Sequence, residues 1–166
     1  QSMKILRFAF LVVVGSIAAV APASGESIGL RSYGLRGGVA ANPDQFYGGL
    51  HVDAGRLTER VRFQPSFEVG FGNGVVLGSA NFDAHYLFSA RSLRPYAGGG
   101  LGLNVFNVTN GSGEGGGLDL GPVLNLVGGV EWGTRRGLRA VGRYLLETRL
   151  GIGDTPELKI AFGISF

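Results

Sequence analysis

The sequence predicts an all-β fold: an eight-stranded antiparallel up-and-down transmembrane β-barrel with a polar, salt-bridged interior. Three observations carry this expectation. The final nine residues alternate strictly. Leu158, Ile160, Phe162, Ile164 and Phe166 share one face of a strand, and Lys159, Ala161, Gly163 and Ser165 share the other. Further segments of similar length repeat that period of two, separated by turn residues. The apolar parity carries side chains too bulky to fit inside so small a barrel, so it has to face outward.

The chain is read from its start. Residues 3–23 are expected to be a secretory signal peptide, with Lys4 and Arg7 in a basic head, an apolar run over residues 8–20, and Ala21-Pro22-Ala23 offering small residues for cleavage. An N-terminal anchor is the alternative, but the run is short against the ~20 residues a helical span needs. Gln1-Ser2 reads as a protease-site remnant of cloning. Residues 24–166 then make one barrel domain. Fifteen Lys and Arg stand against twelve Asp and Glu, and removing Lys4 and Arg7 with the leader leaves thirteen against twelve. A near-neutral domain gives no electrostatic case for nucleic acid. Cysteine is absent, which excludes disulfides and thiol chemistry.

The eight strands follow in order, each justified by its alternation. Strand one covers residues 32–40, where Tyr33, Leu35 and Val39 oppose Ser32, Gly34, Arg36 and Gly38. Asn42-Pro43-Asp44-Gln45 is a turn. Strand two covers 46–55, with Phe46, Leu50, Val52 and Ala54 against Tyr47, His51 and Asp53. Strand three covers 61–71, with Val61, Phe63, Phe67, Val69 and Phe71 against Arg62, Gln64, Ser66, Glu68 and Gly70. Strand four covers 76–88, with Val76, Ala80, Phe82, Ala84, Tyr86 and Phe88 against Ser79, Asn81, Asp83 and His85. Strand five covers 94–107, where Ala97, Leu101, Leu103 and Val105 oppose Gly98, Gly100, Gly102 and Asn104. Strand six covers 118–132, with Leu118, Leu120, Leu124, Leu126, Val130 and Trp132 against Asp119, Asn125, Gly129 and Glu131. Strand seven covers 138–150, with Leu138, Ala140, Tyr144, Leu146 and Leu150 against Arg139, Arg143, Glu147 and Arg149. Strand eight is the alternating ending. Tyr96 and Phe106 break the parity of strand five, and Pro65 and Pro122 predict bulges or short edges because proline lacks a ladder donor.

Polarity selects the kind of barrel. A soluble barrel of this size is apolar inside, and a membrane barrel is the reverse. Phe63, Phe67, Phe71, Phe82, Phe88, Phe162 and Phe166, with many leucines, would overfill an eight-stranded interior. In water that outer band would be a very large exposed patch; in lipid it is solvated. The interior parity holds Arg36, Arg62, Arg139, Arg143, Arg149 and Lys159 with Asp53, Glu68, Asp83, Glu131 and Glu147. Buried charges need partners, and six against five predicts an internal network that fills the lumen. A selective pore would more often carry an excess of one sign.

An even strand number puts both termini on one side, taken as periplasmic. The turns on that side, residues 55–60, 89–94 and 133–137, carry Arg56, Arg60, Arg91, Arg94, Arg135 and Arg136, with Glu59 the one acid. The loops at the other end carry Asp44, Glu114, Asp154 and Glu157 and no base. Tyr86, Phe88, Trp132 and Phe166 suit an aromatic girdle near the periplasmic rim.

The segments Arg94-Pro95-Tyr96-Ala97-Gly98-Gly99-Gly100-Leu101-Gly102-Leu103, Val127-Gly128-Gly129-Val130-Glu131 and Phe162-Gly163-Ile164-Ser165-Phe166 carry a resemblance. The chain resembles the outer membrane protein beta-barrel family, the small eight-stranded barrels related to outer membrane protein A and X, over essentially all of residues 24–166. That resemblance implies insertion in the outer membrane of a diderm bacterium, contact with membrane lipids and lipopolysaccharide, and an assembly signal at Phe166 read by the barrel-assembly machinery. The short outer loops weigh against adhesion.

The same residues carry no clear catalytic or cofactor motif. His51 and His85 share the interior with Asp53 and Asp83, yet zinc wants three or four converging ligands, and a polar network is the simpler reading. No histidine sits on the outward parity, where a lipid-modifying triad would be needed. Gly98-Gly99-Gly100-Leu101-Gly102 precedes no helix, and residues 111–117 lack the lysine of a phosphate loop. The expectation is a monomeric structural or surface-interaction barrel with no cofactor and no catalysis. A narrow ion or small-solute channel is the first alternative and a lipid-active enzyme the second.

Overall fold

A computed structural model describes residues 28–41, 44–72, 75–90, 92–108, 118–133, 142–153 and 157–166. The expected leader therefore lies outside the described residues, as do Arg139, Arg91, Arg135, Arg136, Glu114 and Asp154.

Eight strands follow one another: β1 (Ile28–Ala41), β2 (Gln45–Gly55), β3 (Val61–Gly72), β4 (Val75–Leu87), β5 (Leu93–Val108), β6 (Leu118–Gly133), β7 (Arg143–Gly153) and β8 (Glu157–Ser165). Each is hydrogen-bonded to its neighbours in sequence, and β8 closes on β1, so the sheet is a closed antiparallel barrel. Closure leaves no edge, which is what a sheet surrounded by lipid requires. At the seam Gly34 pairs with Ser165 and Ala41 with Leu158. One residue past β8, Phe166 N–H donates to the Tyr33 carbonyl at 2.8 Å, and Tyr33 N–H donates back at 3.3 Å.

Alternation decides which way each side chain points. Leu35, Phe46, Phe71, Leu101, Leu126 and Phe162 stand on the outer wall and are each at least half exposed. Arg36, Glu68, Asp83, Glu147, Arg149 and Lys159 are buried within. The outside is apolar and the inside polar and charged, the polarity of a barrel solvated by lipid. The interior is not wholly polar. Ala40, Tyr47 and Ala161 form one buried apolar cluster toward the hairpin end, where β1 meets β2. Leu87, Tyr96 and Val127 form another toward the end that carries the termini. The charged centre lies between the two, so little bulk water screens it.

Both prolines sit where a ladder stops. Pairing of β2 with β3 ends at His51 and Ser66, beside Pro65, while β3 stays paired with β4 through Pro65 and Phe82. The next β2–β3 contact is a bridge between Arg56 and Arg62, so four residues of the β2 side oppose three of β3. That bulge ends at Gly55, whose φ of 103° suits glycine; its N–H donates to Asp53 Oδ1 at 3.1 Å. Pro122 pairs with Leu103 on β5, and the β6–β7 ladder begins only at Val123.

Several boundaries differ from those read in the sequence. β1 begins at Ile28, four residues early, because its pairing with β2 shifts register between Ile28 and Ser32 and the bulge hides the alternation. β7 spans Arg143–Gly153 and runs past the expected end at 150, while residues 138–141 of the expected strand lie outside the described residues. Gly151 and Gly153, read as loop, still pair with Asn125 and Val123.

Candidate functional site

The candidate site is the charged interior, and the strand pleat positions every member of it. Glu147 on β7 lies at its centre. Arg36 Nη1 from β1 donates to Glu147 Oε1 at 2.6 Å, Arg149 Nη2 at 3.3 Å, and the Tyr96 hydroxyl from β5 donates to Oε2 at 2.8 Å. Glu68 on β3 faces Lys159 Nζ at 3.0 Å, Arg36 Nη1 at 3.6 Å and Arg149 Nη1 at 3.7 Å. Asp83 on β4 takes Arg149 Nη2 at 2.7 Å and Asn125 Nδ2 at 3.4 Å. Asn125 also donates to Asn81 Oδ1 at 2.8 Å.

Topology makes these contacts unusual. In a ring of eight strands β3 and β7 are diametrically opposed, and Glu68 and Arg149 come from those two. Asp83 and Arg149, and Glu68 and Lys159, are each three strands apart. The network therefore joins opposite walls across the axis, where a hollow barrel would keep them apart. Guanidinium groups suit the role because one planar fork reaches several carboxylates at once.

A second group lies nearer the termini. Arg62 on β3 pairs with Glu131 on β6, again three strands away. Arg143 reaches Glu131 Oε2 at 3.5 Å and Asp53 Oδ2 at 3.6 Å and donates to Ser32 Oγ at 3.0 Å. Its side chain is 38 % exposed, so this pair is partly solvated. Five bases and five acids take part in the ion pairs among the described residues. Arg139 lies outside them.

The histidines join the polar interior. His51 Nε2 lies 2.7 Å from Ser165 Oγ. His85 is fully buried and stacks on Tyr96 at 4.9 Å between centroids. Among the described residues no three His, Cys, Asp or Glu side chains converge as a metal site. Ring faces receive cations: Arg62 lies over Tyr96 at 5.6 Å and Lys159 over Tyr47 at 5.1 Å. The sequence reading missed the hydrogen bonds of Tyr96, Asn81, Asn125, Ser32 and Ser165. Tyr96 carried a signal, since it broke parity on β5.

The aromatic side chains form separate groups on the outer wall. Tyr86 and Phe88 pack edge to face at 5.0 Å. Trp132 packs instead with Tyr144 and Phe162, at 6.1 and 6.2 Å. Phe166 packs with Tyr33 at 6.1 Å. Arg60, in the turn before β3, donates to the Tyr86 hydroxyl at 3.1 Å, and that contact holds its guanidinium above its ordinary pKa. At the hairpin end, an open cleft of about 600 Å³ is bordered by Val39, Phe46, Phe71, Leu158 and Ile160.

Eight antiparallel strands, an apolar outer wall and an ion-paired interior define the class of small membrane barrels. Two solved structures share the fold. The N-terminal beta-barrel domain of Pseudomonas aeruginosa OprF superimposes with a TM-score of 0.57 at 20 % identity, covering 83 % of this chain and 98 % of that one. Neisserial surface protein A, NspA, superimposes with a TM-score of 0.63 at 17 % identity, covering 86 % and 98 %. No protein-family model and no curated protein matches the sequence. The fold expected from alternation, and its likeness to small eight-stranded barrels, are both borne out.

Proposed function

We propose that this chain is an integral outer membrane barrel with a structural or surface-interaction role, a closed lumen and no catalytic activity. One observation carries the closed lumen: Glu68 and Arg149 meet at 3.7 Å from diametrically opposed strands, inside a mesh that also ties Arg36, Asp83, Glu147 and Lys159. An ion or solute would have to break buried pairs to pass, and stripping a partner from a buried charge is strongly unfavourable. The surface role is supported by the likeness to NspA, a neisserial surface protein. Lipid and lipopolysaccharide would surround the wall. Phe166 would serve as the assembly signal, a reading supported by the family resemblance of the ending; in the barrel its backbone bonds Tyr33 at the seam.

Planar-bilayer recording tests the closed lumen. The wild-type barrel should be silent, and Glu68→Ala should introduce a leak. A steady wild-type conductance that Glu68→Ala abolishes would overturn the reading in favour of a channel. Release of acyl chains from lipid by the purified barrel would overturn the non-enzymatic assignment.

The termini are assigned to the periplasm, on the support of charge. Arg56 and Arg60 lie at that end, and Asp44 lies at the hairpin end. The absence of cysteine makes the test clean. On intact cells an impermeant maleimide should label Asp44→Cys and leave Thr58→Cys unlabelled, and the opposite pattern would invert the assignment.

A further inference from the structure

The terminus end of the outer wall carries a cationic feature that the closed-lumen reading does not use. Arg60 lies in the turn between β2 and β3, and its guanidinium bonds the hydroxyl of Tyr86. Tyr86 points outward, away from the lumen, and is 39 % exposed. A guanidinium tied to an outward phenol must itself lie on the outer wall. It is therefore set apart from the arginines of the interior.

The surroundings fix its height and its direction. Leu87 N–H donates to the Arg60 carbonyl at 2.8 Å, and Phe88 N–H donates to the Pro95 carbonyl at 3.0 Å, so the turn is pinned to the ends of β4 and β5. Arg56 donates to the Glu59 carbonyl at 2.8 Å, and its bridge to Arg62 puts it on the inner face of the sheet, so Arg60 stands on the outer side without it. Arg31, on the neighbouring strand β1, is exposed at the same end. Tyr86 and Phe88 pack together here, and paired aromatic rings of this kind sit at the headgroup level of a bilayer. A cation on the outer wall at that level meets lipid phosphate, and a forked guanidinium beside a hydroxyl supplies several donors to one phosphate.

We infer that Arg60 and Tyr86 form a headgroup site for an anionic glycerophospholipid of the leaflet at the terminus end. The phosphodiester would take the guanidinium donors, and the acyl chains would run up the apolar wall beside Phe88. This inference rests on the barrel standing in a bilayer. It does not depend on which side of the membrane the termini occupy, which the maleimide experiment reads separately.

Native mass spectrometry of the whole barrel in detergent tests it, with equimolar phosphatidylglycerol and phosphatidylethanolamine added. Phosphatidylglycerol should be retained in preference. Arg60→Gln should lower that preference about five-fold, the change expected for one basic residue beside an anionic surface. Arg60→Lys should lower it less, and Tyr86→Phe should also weaken it. Asp44→Asn, at the opposite end, should leave it unchanged. Each variant must first show the gel mobility shift between boiled and unboiled samples. Equal retention of the two lipids by wild type would overturn the inference, as would an unchanged preference in the folded Arg60→Gln variant. A parallel arm adds lipid A. If it outcompetes phosphatidylglycerol at this site, and Arg60→Gln removes that advantage, the glycerophospholipid assignment is overturned.

Discussion

At the scale of single residues, the interior separates charges that the structure depends on from charges it tolerates. Glu147 is 2 % exposed and accepts from Arg36, Arg149 and Tyr96. Glu147→Ala takes the 2.6 Å partner from Arg36, leaving it Glu68 at 3.6 Å, and removes one of the three acids around Arg149. Removing one partner of a buried pair costs about 3–5 kcal/mol, and urea titration in lipid vesicles should show a loss of that size. Asp53 faces the part-solvated Arg143 at 3.6 Å, and an ion pair open to water is worth about 0.2–1 kcal/mol. Asp53→Asn should therefore cost less than ~1 kcal/mol in the same titration. Equal losses would mean that water reaches both groups alike. Membership of the interior was legible because strand parity alone assigns Arg36, Glu68, Asp83 and Glu147 to one side. Partnership was not, because it depends on how strands far apart in sequence are disposed around the ring. Glu68 meets Lys159 across 91 positions.

At the scale of the strand, glycine on the inner face makes room for the network. An added Cβ at Gly129 on β6 would stand 2.6 Å from the Tyr96 hydroxyl and 2.6 Å from the Leu146 carbonyl. Tyr96 would have to move, and with it a donor to Glu147. Gly129→Ala should destabilise the barrel by about 1–3 kcal/mol, the usual cost of overpacking. Combining it with Tyr96→Phe should give less than the sum of the two, since both act on one hydrogen bond. Additive losses would show that Gly129 acts through the Leu146 backbone alone. The strands themselves were legible wherever the period of two runs unbroken, as in β3, β4 and β8. It failed at the start of β1, where a register shift puts extra residues into the strand, and at the end of β7, where glycines that look like a turn are still paired. The interior apolar residues Leu77, Val123, Val127 and Leu145 were also missed. A strand pattern shows them as unbroken apolar runs, and only the closed ring shows that they are buried within it.

At the scale of the whole molecule, the outward apolar wall is stable only if its solvent is lipid, and depth along the wall should set the penalty for a misplaced charge. Leu126 stands outward near the middle of β6, and Leu30 is exposed near the start of β1, before that strand meets β8. An arginine on the lipid face costs ~2–4 kcal/mol at the bilayer midplane and ~0–1 kcal/mol near the interface. Leu126→Arg should lose the larger amount and Leu30→Arg the smaller. The single tryptophan, Trp132 on the outer wall, reports the titration of both without a label. A wall that instead faced water or a protein partner would lack this gradient. Arginine at Leu126 would then be nearly silent in water, or would cost as much as a lost interface whatever its depth. A steep difference between the two positions in vesicles, together with its disappearance in aqueous detergent-free solution as the protein precipitates, would place the barrel in lipid by energetics alone. The same series extends to Phe162 and Leu101, so the hydrophobic belt can be located strand by strand from measured penalties.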